Sequence, residues 1–179
     1  MTEQMSVKIA ALPSLRLTVE AHGLMAKKAL GQNFLLDQNI TDKIINLSLQ
    51  KQNKKDFSGA NVFEVGPGPG GLTRAVLAAE PKSLTVVEMD ERCIAIMNEI
   101  KEKTGDILHI INGDAMQTDF SVLAPAPRHI ISNLPYNISV PLLVGWLKNI
   151  NAYDSLTLMF QKEVAERITA PIKTKDYGR

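Results

Sequence analysis

Cysteine is nearly absent. Cys93 stands alone among 179 residues, so neither an intrachain disulfide nor a thiolate metal cluster can form. Histidine is almost as scarce: His22, His109 and His129 lie far apart without ligand spacing, and no metal site is expected. Long apolar runs are missing too. The longest, near Val140–Leu147, falls well short of the roughly 20 residues that a membrane helix needs. The segment before Lys27 carries Glu3 and Glu20 and no compact apolar block, which argues against a secretory signal. Net charge is only +1, so bulk charge gives no argument for nucleic-acid binding. What remains is a soluble, intracellular chain of single-domain length. Its 45% hydrophobic and 22% charged residues exclude wholesale disorder and collagen-like architecture.

The distribution of charge says more than its total. Residues 1–60 hold eight basic and five acidic side chains, residues 61–130 six and ten, and residues 131–179 six and four. An acidic middle between basic ends suits a cationic small molecule at the centre and an anionic polymer at the edges. The alternative is ordinary surface scatter.

Residues 1–26 show little periodicity and read as a loose leader. From Asp37 to Gln50, the residues Ile40, Ile44, Leu47 and Ser48 share one face at helical spacing, and Lys51–Ser58 reads as a polar linker. Five short apolar runs then alternate with helical patterns. The runs are Asn61–Val65, Ser83–Val87, Ile107–Ile111, His129–Ser132 and Ser155–Phe160. Helices are expected around Leu72, Val76 and Leu77, over Glu91–Lys103 with Ile94, Met97 and Ile100 inward, over Val140–Leu147, and over Lys162–Ile168. Gly113–Pro127 reads as a loop. This alternation predicts an α/β fold: an open, mostly parallel sheet with helices on both faces. In such sheets ligands sit beyond the carboxyl ends of the strands.

Chemistry-bearing residues stand at those ends. After the first strand comes Glu64-Val65-Gly66-Pro67-Gly68-Pro69-Gly70-Gly71. Gly66, Gly68 and Gly71 satisfy the spacing of a dinucleotide loop. However, Pro67 and Pro69 each lack the N–H that a pyrophosphate cradle relies on, whereas a cationic ligand without phosphate would not miss it. Glu88 ends the second strand, 22 residues beyond Gly66, where a carboxylate can accept from ribose hydroxyls. Gly113-Asp114-Ala115 follows the third strand, and Asp114 can accept from an exocyclic adenine amine. Asn133-Leu134-Pro135-Tyr136-Asn137 follows the fourth. The Asn133 amide oxygen and a neighbouring backbone carbonyl offer two acceptors for a substrate NH₂, and Tyr136 offers a face for a flat base.

Taken together, these strings resemble the class I S-adenosylmethionine-dependent methyltransferases and, more narrowly, the ribosomal RNA adenine dimethylases. Lys28-Ala29-Leu30-Gly31-Gln32-Asn33-Phe34-Leu35, Phe160-Gln161-Lys162-Glu163-Val164-Ala165 and Lys175-Asp176-Tyr177-Gly178-Arg179 carry the resemblance further. It implies a Rossmann-like fold, a leader over residues 1–26 and a methyltransferase domain over 27–179. It also implies transfer of methyl groups from S-adenosyl-L-methionine, leaving S-adenosyl-L-homocysteine. The acceptors would be the N6 amines of two adjacent adenosines near the 3′ end of small-subunit rRNA, in the cytoplasm and during ribosome biogenesis. On this resemblance Gln32, Asn33 and Leu35 cover the methionine end of the cofactor, and Glu64, Gly66 and Gly68 line its amino-acid moiety. Glu88 holds the ribose, Met89 lies against adenine, and Asp114 meets the ring amine beside Ala115. Asn133, Leu134 and Pro135 grip the target amine, while Tyr136 and Phe160 sandwich the target base. No metal and no membrane are implied.

Three other readings compete. An antibiotic-resistance-type rRNA dimethylase shares the fold, a NAD-dependent oxidoreductase shares the glycines but leaves Asn133–Tyr136 unexplained, and a non-catalytic RNA-binding factor would keep the cofactor fold alone. A DNA adenine or protein glutamine methyltransferase usually has proline where Leu134 stands. Methyltransferases of this class normally have seven strands, and the resembled family adds a small helical domain. The expectation is therefore of a chain truncated after strand five, weakly active or inactive by itself and a monomer when full length.

Overall fold

The computed structural model describes residues 4–24 and 34–177. Five parallel strands form one sheet: β1 (Asn61–Val65), β2 (Ser83–Glu88), β3 (Leu108–Asn112), β4 (Arg128–Asn133) and β5 (Ser155–Met159), in the order β3-β2-β1-β4-β5. The helices are α1 (Met5–Ala10), α2 (Leu15–Ala21), α3 (Gln38–Lys51), α4 (Gly71–Ala78), α5 (Glu91–Thr104), α6 (Ser139–Lys148) and α7 (Lys162–Thr169). Among the described residues no helix is long and apolar enough to cross a membrane.

Alternation along each strand sends side chains to two separate cores. Val62, Leu84, Val86 and Ile131 pack with residues of α3, α4 and α5 on one face. Phe63, Val65, Val87 and Ile130 pack with Phe120, Leu142 and Trp146 on the other. Phe120 bridges Phe63 and Trp146 in two edge-to-face contacts, with ring centres 5.7 and 5.9 Å apart. Burial on both faces explains why the strands read as continuous apolar runs. Strand order reverses between β1 and β4, so a crevice opens at their carboxyl ends.

The structure corrects several expectations. The leader is not loose, because α1 and α2 lie over α4 and α5. Val19 and Leu24 are buried, Arg74 Nη1 on α4 donates to the Pro13 carbonyl at 2.5 Å, and His22 Nε2 sits 3.0 Å from Glu99 on α5. These helices have six and seven residues, too short for a periodic signal, and packing rather than propensity holds them. Helix α3 is turned part-way from the expected face. Ser48 is buried and Ile44 packs against the core as expected, but Thr41, Ile45 and Leu49 join them, while Ile40 and Leu47 are exposed. Ser48 accepts from Thr157 on β5 at 2.8 Å, so polar contacts help to fix the rotation. The Lys51–Ser58 linker contains Phe57, which is fully buried. The Gly113–Pro127 loop contains a 3₁₀ turn at Ala115–Gln117 and the buried Phe120. On α6, Leu142 and Trp146 are buried, but Val140, Val144 and Leu147 are exposed.

Candidate cofactor and substrate site

The turn between β1 and α4 shapes the site. Gly66, Gly68 and Gly70 all have positive φ, a conformation that L side chains rarely adopt. Gly66 N–H donates to the Val87 carbonyl at 2.9 Å, which ties the turn to β2. A Cβ on Gly66 would stand 3.2 Å from the Pro135 ring, and one on Gly68 would stand 2.9 Å from the Phe34 ring. The turn is therefore flanked by β2, by the loop after β4 and by the chain ahead of α3.

Beside it opens a cleft of about 810 Å³, within the range of small-molecule sites. Gly66, Glu88, Met89, Asp114, Ala115 and Pro135 line it together. Glu88 closes β2 and is 9% exposed. One carboxylate oxygen, Oε1, accepts from the Met89 and Asp90 amides at 2.7 and 2.9 Å. Asp114 follows the same plan after β3, with Oδ1 accepting from the Met116 amide at 2.8 Å. Two backbone amides hold one oxygen of Glu88 and one amide holds one oxygen of Asp114, and in each the other oxygen accepts no hydrogen bond from the described residues.

A smaller pocket of about 20 Å³ adjoins the cleft through Gly66 and is lined by Leu35, Glu64 and Asn133 among others. Glu64 is 1% exposed, and its Oε2 accepts from the Thr73 hydroxyl of α4 at 2.7 Å. Burial pushes its carboxyl up to about 8. The Thr73 hydrogen bond opposes that rise, and the Glu88 charge adds to it.

The remaining expected residues lie around this frame. Asn133 is the last residue of β4, paired in register with Met159 of β5. Phe160 therefore follows β5 beside the turn that carries Leu134 and Tyr136. Tyr136 and Phe160 are half-buried. Leu134 is 2% exposed and packs within the core. Leu134, Tyr136, Phe160 and Gly68 line neither pocket, and Gln32 and Asn33 lie outside the described residues. Thr73, Arg92, Met116 and Ile138 belong to the site but were missed. Arg92 and Met116 follow the first acidic residue after β2 and β3, a position that could have flagged them. Arg92 pairs with Asp90, Nε to Oδ1 at 3.0 Å, at the cleft rim.

The model of the ribosomal RNA adenine dimethylase family matches residues 23–179. The chain belongs to the ribosomal RNA adenine dimethylase family. It is 51% identical over 169 residues to ribosomal RNA small subunit methyltransferase A of Gluconobacter oxydans, covering 94% of this chain and 54% of that protein. It is 50% identical over 172 residues to the protein of the same name from Allorhizobium ampelinum, covering 94% and 60%. The chain thus spans little more than half the length of these relatives. Among solved structures, a dimethyladenosine transferase from Plasmodium falciparum superposes with a TM-score of 0.66 at 32% identity, over 79% of this chain and 48% of that one. The 23S rRNA methyltransferase ErmE superposes at 0.60 and 26% identity, over 82% and 53%. The fold of this dimethylase-family chain is accordingly the Rossmann-like fold of class I methyltransferases.

Proposed function

We propose that the cleft binds S-adenosylmethionine and that the protein dimethylates the N6 amines of two adjacent adenosines near the 3′ end of small-subunit rRNA. The observation that carries this reading is the pair of strand-end carboxylates, Glu88 and Asp114, each with one oxygen held by the backbone of the next turn and both lining one cleft. Their acceptor chemistry fits a ribose diol and an adenine amine. A neighbouring pocket holding Glu64 fits the cationic amino-acid end. The two prolines in the glycine turn fit a ligand without phosphate.

When bound, S-adenosylmethionine supplies an electrophilic methyl group on a sulfonium. The chain's own residues orient the acceptor. Asn133 offers an amide oxygen, and the main chain of Leu134–Pro135 offers a carbonyl. Two acceptors at an aromatic amine favour a pyramidal nitrogen whose lone pair points along the transfer path. Tyr136 and Phe160, carried at the ends of adjacent strands, provide faces for a base that has left its stack. Such catalysis rests on positioning and electrostatics and needs no covalent nucleophile. The relatives' names support small-subunit rRNA as the substrate, and the reading puts the reaction in the cytoplasm, alongside ribosome assembly.

The test is transfer of labelled methyl groups to small subunits that lack the modification, followed by nucleoside analysis. The expected product is N6,N6-dimethyladenosine at two adjacent positions. Label found only in large-subunit RNA, or in no adenosine, contradicts the proposal.

A further inference from the structure

Glu64 is a carboxyl group with almost nothing to sustain its charge. It is 1% exposed, and its one hydrogen bond from the described residues comes from the neutral Thr73 hydroxyl. No ion pair reaches it among those residues. The surroundings, element by element, supply no cation. At the end of β2, Glu88 adds a negative field. On α4, the cation Arg74 turns away to Pro13 and Thr18. From α5, Met97 backs Thr73, with Sδ 3.8 Å from its hydroxyl. Asn133 of β4 and Phe34 and Leu35 ahead of α3 complete the pocket without a titrating group. Yet Glu64 faces a space of about 20 Å³, room for one water-sized group and therefore for an ammonium.

We propose that Glu64 is a proton-exchange group. It is uncharged in the ligand-free protein, and it gives up its proton when the ammonium of the cofactor's amino-acid end enters the small pocket. The inference rests on the cofactor reading above. The proton passes from the Glu64 carboxyl to solvent, no other bond changes, and the resulting carboxylate faces the incoming cation. Thr73 is a positioning residue, since its hydroxyl holds one carboxyl oxygen and favours the charged form. Burial pushing the carboxyl up to about 8 agrees with this geometry. Because binding releases a proton, affinity rises with pH and levels off where the free carboxyl already ionises.

Calorimetry of this chain at pH 7, in buffers of different ionisation enthalpy, tests the proposal. S-adenosylmethionine and S-adenosylhomocysteine should each release nearly one proton. 5′-Methylthioadenosine, which lacks the amino-acid end, should release none. Affinity should climb by up to about tenfold per pH unit from pH 6 to 8. Glu64→Gln should abolish both the release and the climb, and Thr73→Val should move the upper bend of the profile to higher pH. Binding without proton release, or equal release from Glu64→Gln, overturns the proton-exchange role and leaves the cofactor reading standing. Binding of none of the three ligands overturns the cofactor reading itself.

Discussion

Glu88 and Asp114 are built on one plan. A carboxylate at a strand end accepts from the backbone of the next turn on one oxygen, two amides at Glu88 and one at Asp114, which orients it before any ligand arrives. A hydrogen bond to such a charged acceptor contributes about 1.5–3 kcal/mol. Glu88→Ala should therefore weaken S-adenosylmethionine binding by roughly ten- to a hundredfold, measured by calorimetry. Unchanged affinity would remove Glu88 from the ribose role. Both residues were legible in the sequence because a strand end followed by an acid is a local pattern. Thr73 was not legible. It lies in the first turn of α4, nine residues from Glu64, and only the packing of α4 on β1 brings the two together. Leu134 shows the opposite case: its place in the string was legible, but the burial of its side chain was not.

At the scale of elements, the glycine turn fixes where the chain ahead of α3 can run. A Cβ on Gly71 would collide with the Leu35 carbonyl, and backbone cannot yield as a side-chain tip can. Gly71→Ala should cost about 1–3 kcal/mol in a urea titration, since overpacking forces a backbone shift. It should also disturb the small pocket that Leu35 lines. A midpoint equal to wild type would show that this approach is not tight. The seam between α3 and the sheet is the element that sequence patterning read only in part. Of the expected face, Ser48 and Ile44 pack inward but Ile40 and Leu47 do not, and Ser48 and Gln52 meet Thr157 and Ser155.

His129 lies in that seam, fully buried, with Nδ1 2.8 Å from Ser155 Oγ and Nε2 without a hydrogen-bond partner among the described residues. Burial and the Lys54 charge hold its pKa below the ordinary 6.5, against the pull of Asp154. The unfolded chain then binds the extra proton first as pH falls through 6.5, so stability from this group is present above that pH and lost below it. Glu64 contributes in the opposite direction, losing stability as pH rises from 4.5 toward 8. Comparison with His129→Asn isolates the histidine. From pH 7.5 to 5.5, wild type should lose urea stability relative to that variant, and a constant difference would refute the assignment.

For the whole molecule, the alternation of strands and helices made the parallel sheet and its carboxyl edge legible, because the central strands β1, β2 and β4 are buried on both faces and read as apolar runs. The clasp of α1 and α2 over α4 and α5 was not, because long-range packing supplies what six or seven residues cannot. The sheet order puts β4 beside β1, so the acceptor-bearing turn after Asn133 faces the glycine turn. In the active protein, Asn133→Ala should lower single-turnover methylation by about 2.7–4 kcal/mol of barrier, roughly a hundred- to a thousandfold, with a much smaller change in cofactor affinity. A near wild-type rate would discard the amine-orienting role.

If the crevice between β1 and β4 is the cofactor site, a crystal structure of this chain with S-adenosylhomocysteine will show ribose hydroxyls on Glu88, the adenine amine on Asp114 and the ammonium beside Glu64. A ligand lodged instead in the separate cavity of about 620 Å³ between α1, α3 and α4, or one bound in the crevice with its adenine away from Asp114, would contradict that assignment.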